Sequence, residues 1–204
     1  MSTSRCSSAG TAGLPERWTA FDAATAQFAE RGYAGTALDE VASATQVTRG
    51  AVYHHFDGKQ ALFEAVLDRL ETGAMQRVID AAAQQSDPWD ATLAALDEFL
   101  DQCCEPVYGR VVWQEGPIAL GWSGWKECEE KYAYGLIEQF LGGLMDAGHI
   151  ERVPLETTSR LVFGLLGAAG LALAEADDAG KQQTRDDCAA LLRRMLVGLQ
   201  SRSA

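Results

Sequence analysis

No stretch of this 204-residue chain alternates apolar and polar residues with period two, whereas apolar residues recur every three or four positions along most of its length. A half-buried strand needs the first pattern and an amphipathic helix the second, so the expected fold is all-α. Residue choice agrees: Asn is absent and Pro occurs only five times, which favours long helices.

The first periodic segment is Pro15 to Arg31, with Leu14, Trp18, Phe21, Thr25 and Phe28 on one stripe and Gly32 placed as a C-terminal stop. A short helix follows from about Leu38 to Ala44, opened by Thr36 and Asp39 at capping-box spacing and burying Leu38, Val41 and Ala42. Thr45, Gln46 and Val47 make a turn, and Thr48 caps a second short helix through about His55. Asp57 and Gln60 repeat the capping spacing and open a long helix that buries Leu62, Phe63, Val66, Leu67 and Leu70 and runs past Val78.

Pro88, capped by Ser86 or Asp87, starts the next helix, which ends near Cys104. A shorter one holds Val107, Val111, Val112 and Trp113 and is broken by Glu115–Pro117. A long helix from about Leu120 to Ala147 is closed by Gly148, another runs from Pro154 to about Ala176, and Gly180 precedes a last one from Lys181 to about Ser201. The reading is about nine helices: a disordered tail over 1–14, a three-helix unit over 15–60, and a helical C-terminal domain over 61–204 reached through the long helix. The tail lacks the apolar core of a signal peptide, and the longest uncharged apolar run, Leu161 to Ala174, is fourteen residues, too short to span a bilayer.

The net charge of −12 argues against a surface that coats nucleic acid broadly. Its distribution permits a local site: residues 1–70 carry six Lys/Arg against eight Asp/Glu, and the remainder eleven against twenty-one. Five cysteines, an odd number without a C-x-x-C pair, indicate a reducing, cytoplasmic setting.

Against this acidity stands "TRGAVYHHFDGK", Thr48 to Lys59, with four successive rings and no acid between Arg49 and Asp57. Two short helices joined by a three- or four-residue turn form a helix-turn-helix, whose second helix can enter a DNA major groove. Arg49 can reach guanine O6 and N7 with its fork of donors, while Gly50 and Ala51 allow close approach to bases. Tyr53, His54 and His55 supply donors for phosphate oxygens. Lys59 stands in the first turn of the following helix, where its ammonium and free backbone N–H groups can hold a phosphate together; Thr36 and Thr48 occupy similar helix starts. Such contacts outweigh a distant acidic body because screening acts over about 8 Å. Other readings are that Tyr53 and Phe56 are core aromatics and that His54 and His55 ligate a metal. Adjacent helical residues diverge by about 100°, which disfavours a shared metal, and no metal or cofactor is expected.

The run Phe28, Gly32, Thr36, Val41–Ala42, Val47, Gly50, Tyr53, His55–Phe56, Lys59 and Leu62 resembles the DNA-binding domain of TetR-family transcriptional repressors. The resemblance implies an all-helical homodimer that reads a palindromic operator in double-stranded DNA, with a C-terminal domain that binds a small effector and releases the DNA. By match to the motif, Arg49, Gly50 and Ala51 face bases, and Thr36, Thr48, Tyr53, His54, His55 and Lys59 touch phosphate. The family usually has Gly where this chain has Gln46; a left-handed turn there costs Gln about 1 kcal/mol relative to Gly.

In the C-terminal domain, Leu161 to Leu173 is apolar on all sides and includes Gly164, Gly167, Ala168 and Gly170, which permit close helix approach. With the stripe Cys188, Leu191, Leu192, Met195, Leu196 and Leu199 it suits either an intrachain core or a four-helix dimer interface. The interface reading takes Leu161, Gly164, Leu165, Ala168, Leu171, Leu191, Leu192, Met195 and Leu199. Candidates for an effector pocket are Trp89, Phe99, Cys103, Val107, Trp113, Trp122, Trp125, Tyr132 and Phe140, which suit an apolar or flat ligand or, equally, a plain core. Glu115 is a polar anchor or a solvated turn residue.

No phosphate loop, metal-ligand spacing or nucleophile elbow is present, so no catalysis is expected. The leading expectation is a ligand-responsive repressor. The alternatives are a thiol- or metal-sensing regulator of the same fold built on Cys103, Cys104 or Cys128, and a helical small-molecule-binding protein or enzyme that does not bind DNA.

Overall fold

The computed structural model describes residues 13–44 and 56–200, with side chains from residue 21 onward. Within them every regular element is a helix, and one isolated antiparallel bridge joins Ile150 to Gln200. The chain divides into two units, Met1–Val66 and Leu67–Ala204.

In the first unit, α1 (Gly13–Gly35) breaks at Gly32, whose φ of 72° and ψ of 173° end the helix where the stop was expected. Helix α2 spans Leu38–Ala44, and α3, Lys59–Ala83, begins here and continues into the second unit. Phe21, Phe28, Leu38, Val41, Phe56, Leu62, Phe63 and Val66 are buried. Edge-to-face ring pairs organise this core: Phe21 meets Phe56 at 5.6 Å, Phe28 meets Phe63 at 5.0 Å, and Tyr33 meets Phe63 at 5.3 Å.

The second unit adds α4 (Pro88–Cys104), α5 (Pro106–Tyr108), a π-helical segment π1 (Gly109–Glu115), α6 (Gly116–Glu129), a second π segment π2 (Glu130–Tyr134), α7 (Gly135–Asp146), α8 (Leu155–Glu175) and α9 (Lys181–Val197). Helix α4 starts as its sequence dictates: Asp87 caps it by accepting from the backbone N–H groups of Trp89 and Asp90, and Pro88 occupies the first turn. Gly148, at φ 76°, closes α7.

The expected break at Glu115–Pro117 does not occur. Glu115 and Gly116 keep right-handed helical angles, and Pro117 falls in the first turn of α6, where its missing N–H is no loss. The helix breaks instead at Gly121, with φ 70° and ψ 160°. Glu115 is no solvated turn residue either: it is buried and paired with the Arg110 guanidinium at 2.8 Å.

Helix α8 packs against π1 through a close approach. A Cβ on Gly170 would lie 2.5 Å from the Trp113 ring, so only glycine fits. Gln114 adds a hydrogen bond to the Ala174 carbonyl. Helix α9 is held to α4 by Arg185, which donates to Asp101 at 2.8 Å, and by the pair of Arg193 with Asp97. Among the described residues, neither α8 nor α9 is covered on its other side. Leu161 is 66% exposed and Leu191 54%, and Leu165 and Met195 are also exposed. Although its uncharged run is short, α8 has the length and composition of a helix that can cross a membrane, with mean hydropathy 1.4 over its apolar window; only 28% of that window is buried within the chain.

Candidate DNA-binding unit and ligand cavity

The residues expected to face bases, Arg49, Gly50 and Ala51, lie outside the described residues, as do Gln46, Thr48, Tyr53, His54 and His55. Two phosphate candidates are described. Thr36 is 1% exposed, and its hydroxyl donates to the carbonyls of Gly32 at 2.9 Å and Gln27 at 3.2 Å. A hydroxyl has one hydrogen, and here it is committed to the end of α1, so the side chain has no donor left for a phosphate. Lys59 donates to the Tyr33 carbonyl at 2.8 Å and sits 4.4 Å above the Tyr33 ring. An ammonium has three donors, so this bond positions Lys59 at the start of α3 without exhausting it.

The second unit contains a cavity of about 720 Å³. Five pocket candidates line it: Phe99, Trp113, Trp122, Trp125 and Phe140. Four of their rings form a ladder, with Phe99 edge-on to Trp113 at 6.3 Å, Trp113 edge-on to Trp125 at 5.6 Å, and Trp125 tilted against Trp122 at 5.0 Å.

The other four candidates stand elsewhere. Trp89 packs beside His149 on the cluster of Ile137, Leu141 and Leu144. Val107 is exposed. Tyr132 donates to Asp68, which Lys131 also meets at 3.1 Å, so these two residues tie π2 to α3. Cys103 is fully buried and does not line the cavity. Of the residues assigned to a dimer face, all but Leu191 also border the cavity, so one wall of it is the uncovered α8–α9 side.

Sequence reasoning missed the polar residues of this region. Glu71 on α3 and Glu129 at the end of α6 are both buried. Tyr108 donates to both oxygens of Glu71, at 3.1 and 3.2 Å, and the Glu129 carboxyl hydrogen-bonds to Glu71 from the other side. Burial, tempered by these bonds, pushes the Glu71 carboxyl up to about 7. Burial, then the charge of Glu71, raises Glu129 well above the usual range, so Glu129 holds the proton of the pair. Glu129 also lines the cavity, and its Oε1 is buried without a hydrogen-bond partner. The signal was present in the sequence: Glu71 continues the stripe Phe63, Leu67 towards Ala74 and Val78, and Glu129 follows Trp125 by one turn.

Burial also raises the Cys103 thiol, with Glu71 and Glu129 adding to the effect, and pushes Cys128 up to about 11. Cys104 and Cys188 are raised for the same primary reason. A thiol held protonated is a poor nucleophile and redox sensor, which removes support from the thiol-sensing alternative.

Residues 20–66 match the family described as bacterial regulatory proteins of the tetR family, and residues 89–199 match the tetracyclin repressor-like C-terminal domain. The chain belongs to the TetR family. TetR-family proteins are DNA-binding transcriptional regulators, not an enzyme family. One relative is the TetC protein of transposon Tn10 from Escherichia coli, 23% identical over 137 residues, which cover 67% of this chain and 69% of that one. Another is the HTH-type transcriptional repressor Rv3405c of Mycobacterium tuberculosis, 41% identical over 75 residues, 37% of each chain. A TetR-family transcriptional regulator from Pectobacterium atrosepticum has the same fold, with a TM-score of 0.81 at 24% identity over 94% of this chain and 97% of that one. The TetR assignment thus rests on both ends of the chain, and the cavity lies within the C-terminal match.

Proposed function

We propose that this TetR-family protein is a cytoplasmic, ligand-responsive repressor that binds a palindromic operator as a homodimer and leaves it when a small apolar or aromatic effector enters the cavity. The observation that carries the reading is the position of α3. Met75 and Val78 of this helix line the cavity, while its first residues hold Tyr33 and the core of the N-terminal unit. A ligand that prefers one position of α3 acts on a helix that belongs to both units. Its leverage equals its difference in affinity between the two states, typically about 1–3 kcal/mol.

The dimer face proposed is the α8–α9 side. Leu161, Leu165, Leu191 and Met195 are exposed there, and Gly164 and Gly167 have nothing within 4 Å of a built Cβ. A second copy across a twofold axis covers this side of the cavity. The membrane-like composition of α8 is accounted for in the same way. Arg49, Gly50 and Ala51 are assigned to bases, and Thr48, Tyr53, His54, His55 and Lys59 to phosphates, leaving Thr36 as a positioning residue.

Footprinting the purified protein on DNA upstream of its own gene tests this reading. A protected site with twofold symmetry supports it, and a protein that protects no sequence over bulk DNA overturns it.

A further inference from the structure

We propose that the cavity selects a lipophilic amine, whose ammonium group is held by Glu129 with Glu71 behind it. This specifies the ligand class for the effector site argued above and rests on that reading for its regulatory meaning.

The cavity is apolar and aromatic except for Thr92, Lys126, Glu129, Thr158 and Arg160, and of these Glu129 alone is buried. Glu129 is buried in its wall, and its hydrogen bond within the protein goes to a second carboxyl, Glu71. Tyr108 is the neutral donor that serves the pair. Two carboxyls with one phenol have more acceptor capacity than donors, and an ammonium supplies N–H donors together with the charge that lets Glu129 ionise. The faces of Phe99, Trp113 and Trp125 nearby are favourable to a cation.

The cavity's own cations are placed differently. Lys126 is half exposed and lies 4.0 Å from Glu130, and Arg160 is exposed and paired with Glu156 at 3.3 Å. An anionic ligand finds its partners at this rim, already engaged, whereas a cationic one finds a buried carboxyl pair with more acceptors than donors.

Charge balance gives the step a measurable signature. An amine arrives from water as the ammonium. The Glu129 O–H bond breaks, the proton passes to solvent, and an N–H···O contact to the carboxylate takes its place. Binding therefore releases about one proton and strengthens as pH rises, up to about tenfold per unit, until the amine itself loses its charge. The groups facing Glu129 and Glu71 from the surrounding elements are Tyr108 of α5, Cys103 of α4, and Cys128 of α6, with Lys131 and Asp68 beyond; burial holds the first three neutral in this range. Since Glu71 stands on α3, the change of charge acts directly on the helix that leads into the DNA-binding unit.

The test is calorimetry of the full chain, without DNA, using naphthylmethylamine, naphthylmethanol and naphthoic acid in two buffers of different ionisation enthalpy at about pH 6, near the His range. The amine should bind about tenfold or more tighter than the alcohol, with the acid weakest, and release about one proton. In Glu129→Gln, checked for folding by thermal melting, the amine's advantage and the proton release should both vanish. Tightest binding by the acid or alcohol, no binding by any of the three, or an advantage that survives Glu129→Gln overturns the proposal. If that variant does not fold, the parent's proton count decides alone: none released overturns it. Because no DNA is present, failure here leaves the footprint result standing, and a missing footprint leaves this one.

Discussion

The phenolic oxygen of Tyr108 lies 3.1 and 3.2 Å from the two carboxylate oxygens of Glu71, joining α5 to the helix that runs between the two units. Both groups are buried, so neither has water as an alternative partner. Removing the donor leaves Glu71 with an uncompensated oxygen. Tyr108→Phe is expected to destabilise the protein by about 1–3 kcal/mol, measured by denaturant unfolding at neutral pH.

The same pair sets a pH dependence. The folded-state pKa of Glu71 is raised above its unfolded value, to about 7, so the stability linked to its proton is full at low pH. That stability is lost as pH climbs from the unfolded value through about 7. The loss is on the order of 3 kcal/mol. Glu71→Gln stays neutral throughout, so its unfolding free energy should be flatter than the parent's between about pH 5 and about pH 8. Identical slopes for the two proteins would count against a buried, protonated pair.

Packing of α8 on π1 makes a third prediction. The Trp113 ring occupies the space a side chain on Gly170 would need, at 2.5 to 2.7 Å from a built Cβ. Gly170→Ala must therefore displace an indole that belongs to the aromatic ladder. A loss of about 1–3 kcal/mol is expected, together with a shift in tryptophan emission. Gly143→Ala on α7, exposed and with open space around its Cβ, is the matched control and should leave the fold unperturbed.

Self-association is the fourth. Leu161 and Leu191 are the most exposed leucines on α8 and α9. Changing both to Glu should convert a dimer to a monomer in sedimentation while leaving the helical signal intact. Retention of the dimer would move the interface elsewhere.

Much of this architecture was legible beforehand, and the reasons are local. Helix α2 occupies Leu38–Ala44 and α4 begins at Pro88 under an Asp87 cap, because caps and short-range spacing dominate there. What failed depended on which of several local signals won, or on contacts distant in sequence. Thr36 has the spacing of a capping residue, yet its hydroxyl turns back to α1. Glu115–Pro117 looks like a break, but proline is harmless in a first helical turn. Trp113 and Trp125 reached the cavity while Trp89 and Tyr132 did not, since helical periodicity tells which face is buried and not against what. Glu71 and Glu129 went unnoticed because each carboxylate resembled surface charge until the fold brought the two together.

The central claim is that the segment around Arg49 reads DNA. The most direct measurement is fluorescence anisotropy of the parent and Arg49→Ala on the footprinted duplex, repeated on a scrambled duplex and across salt. Arg49→Ala should lose about 1–3 kcal/mol on the specific duplex only, with Lys59→Ala instead weakening both and reducing the salt slope by about one. Equal affinity of parent and Arg49→Ala for the specific duplex would contradict it.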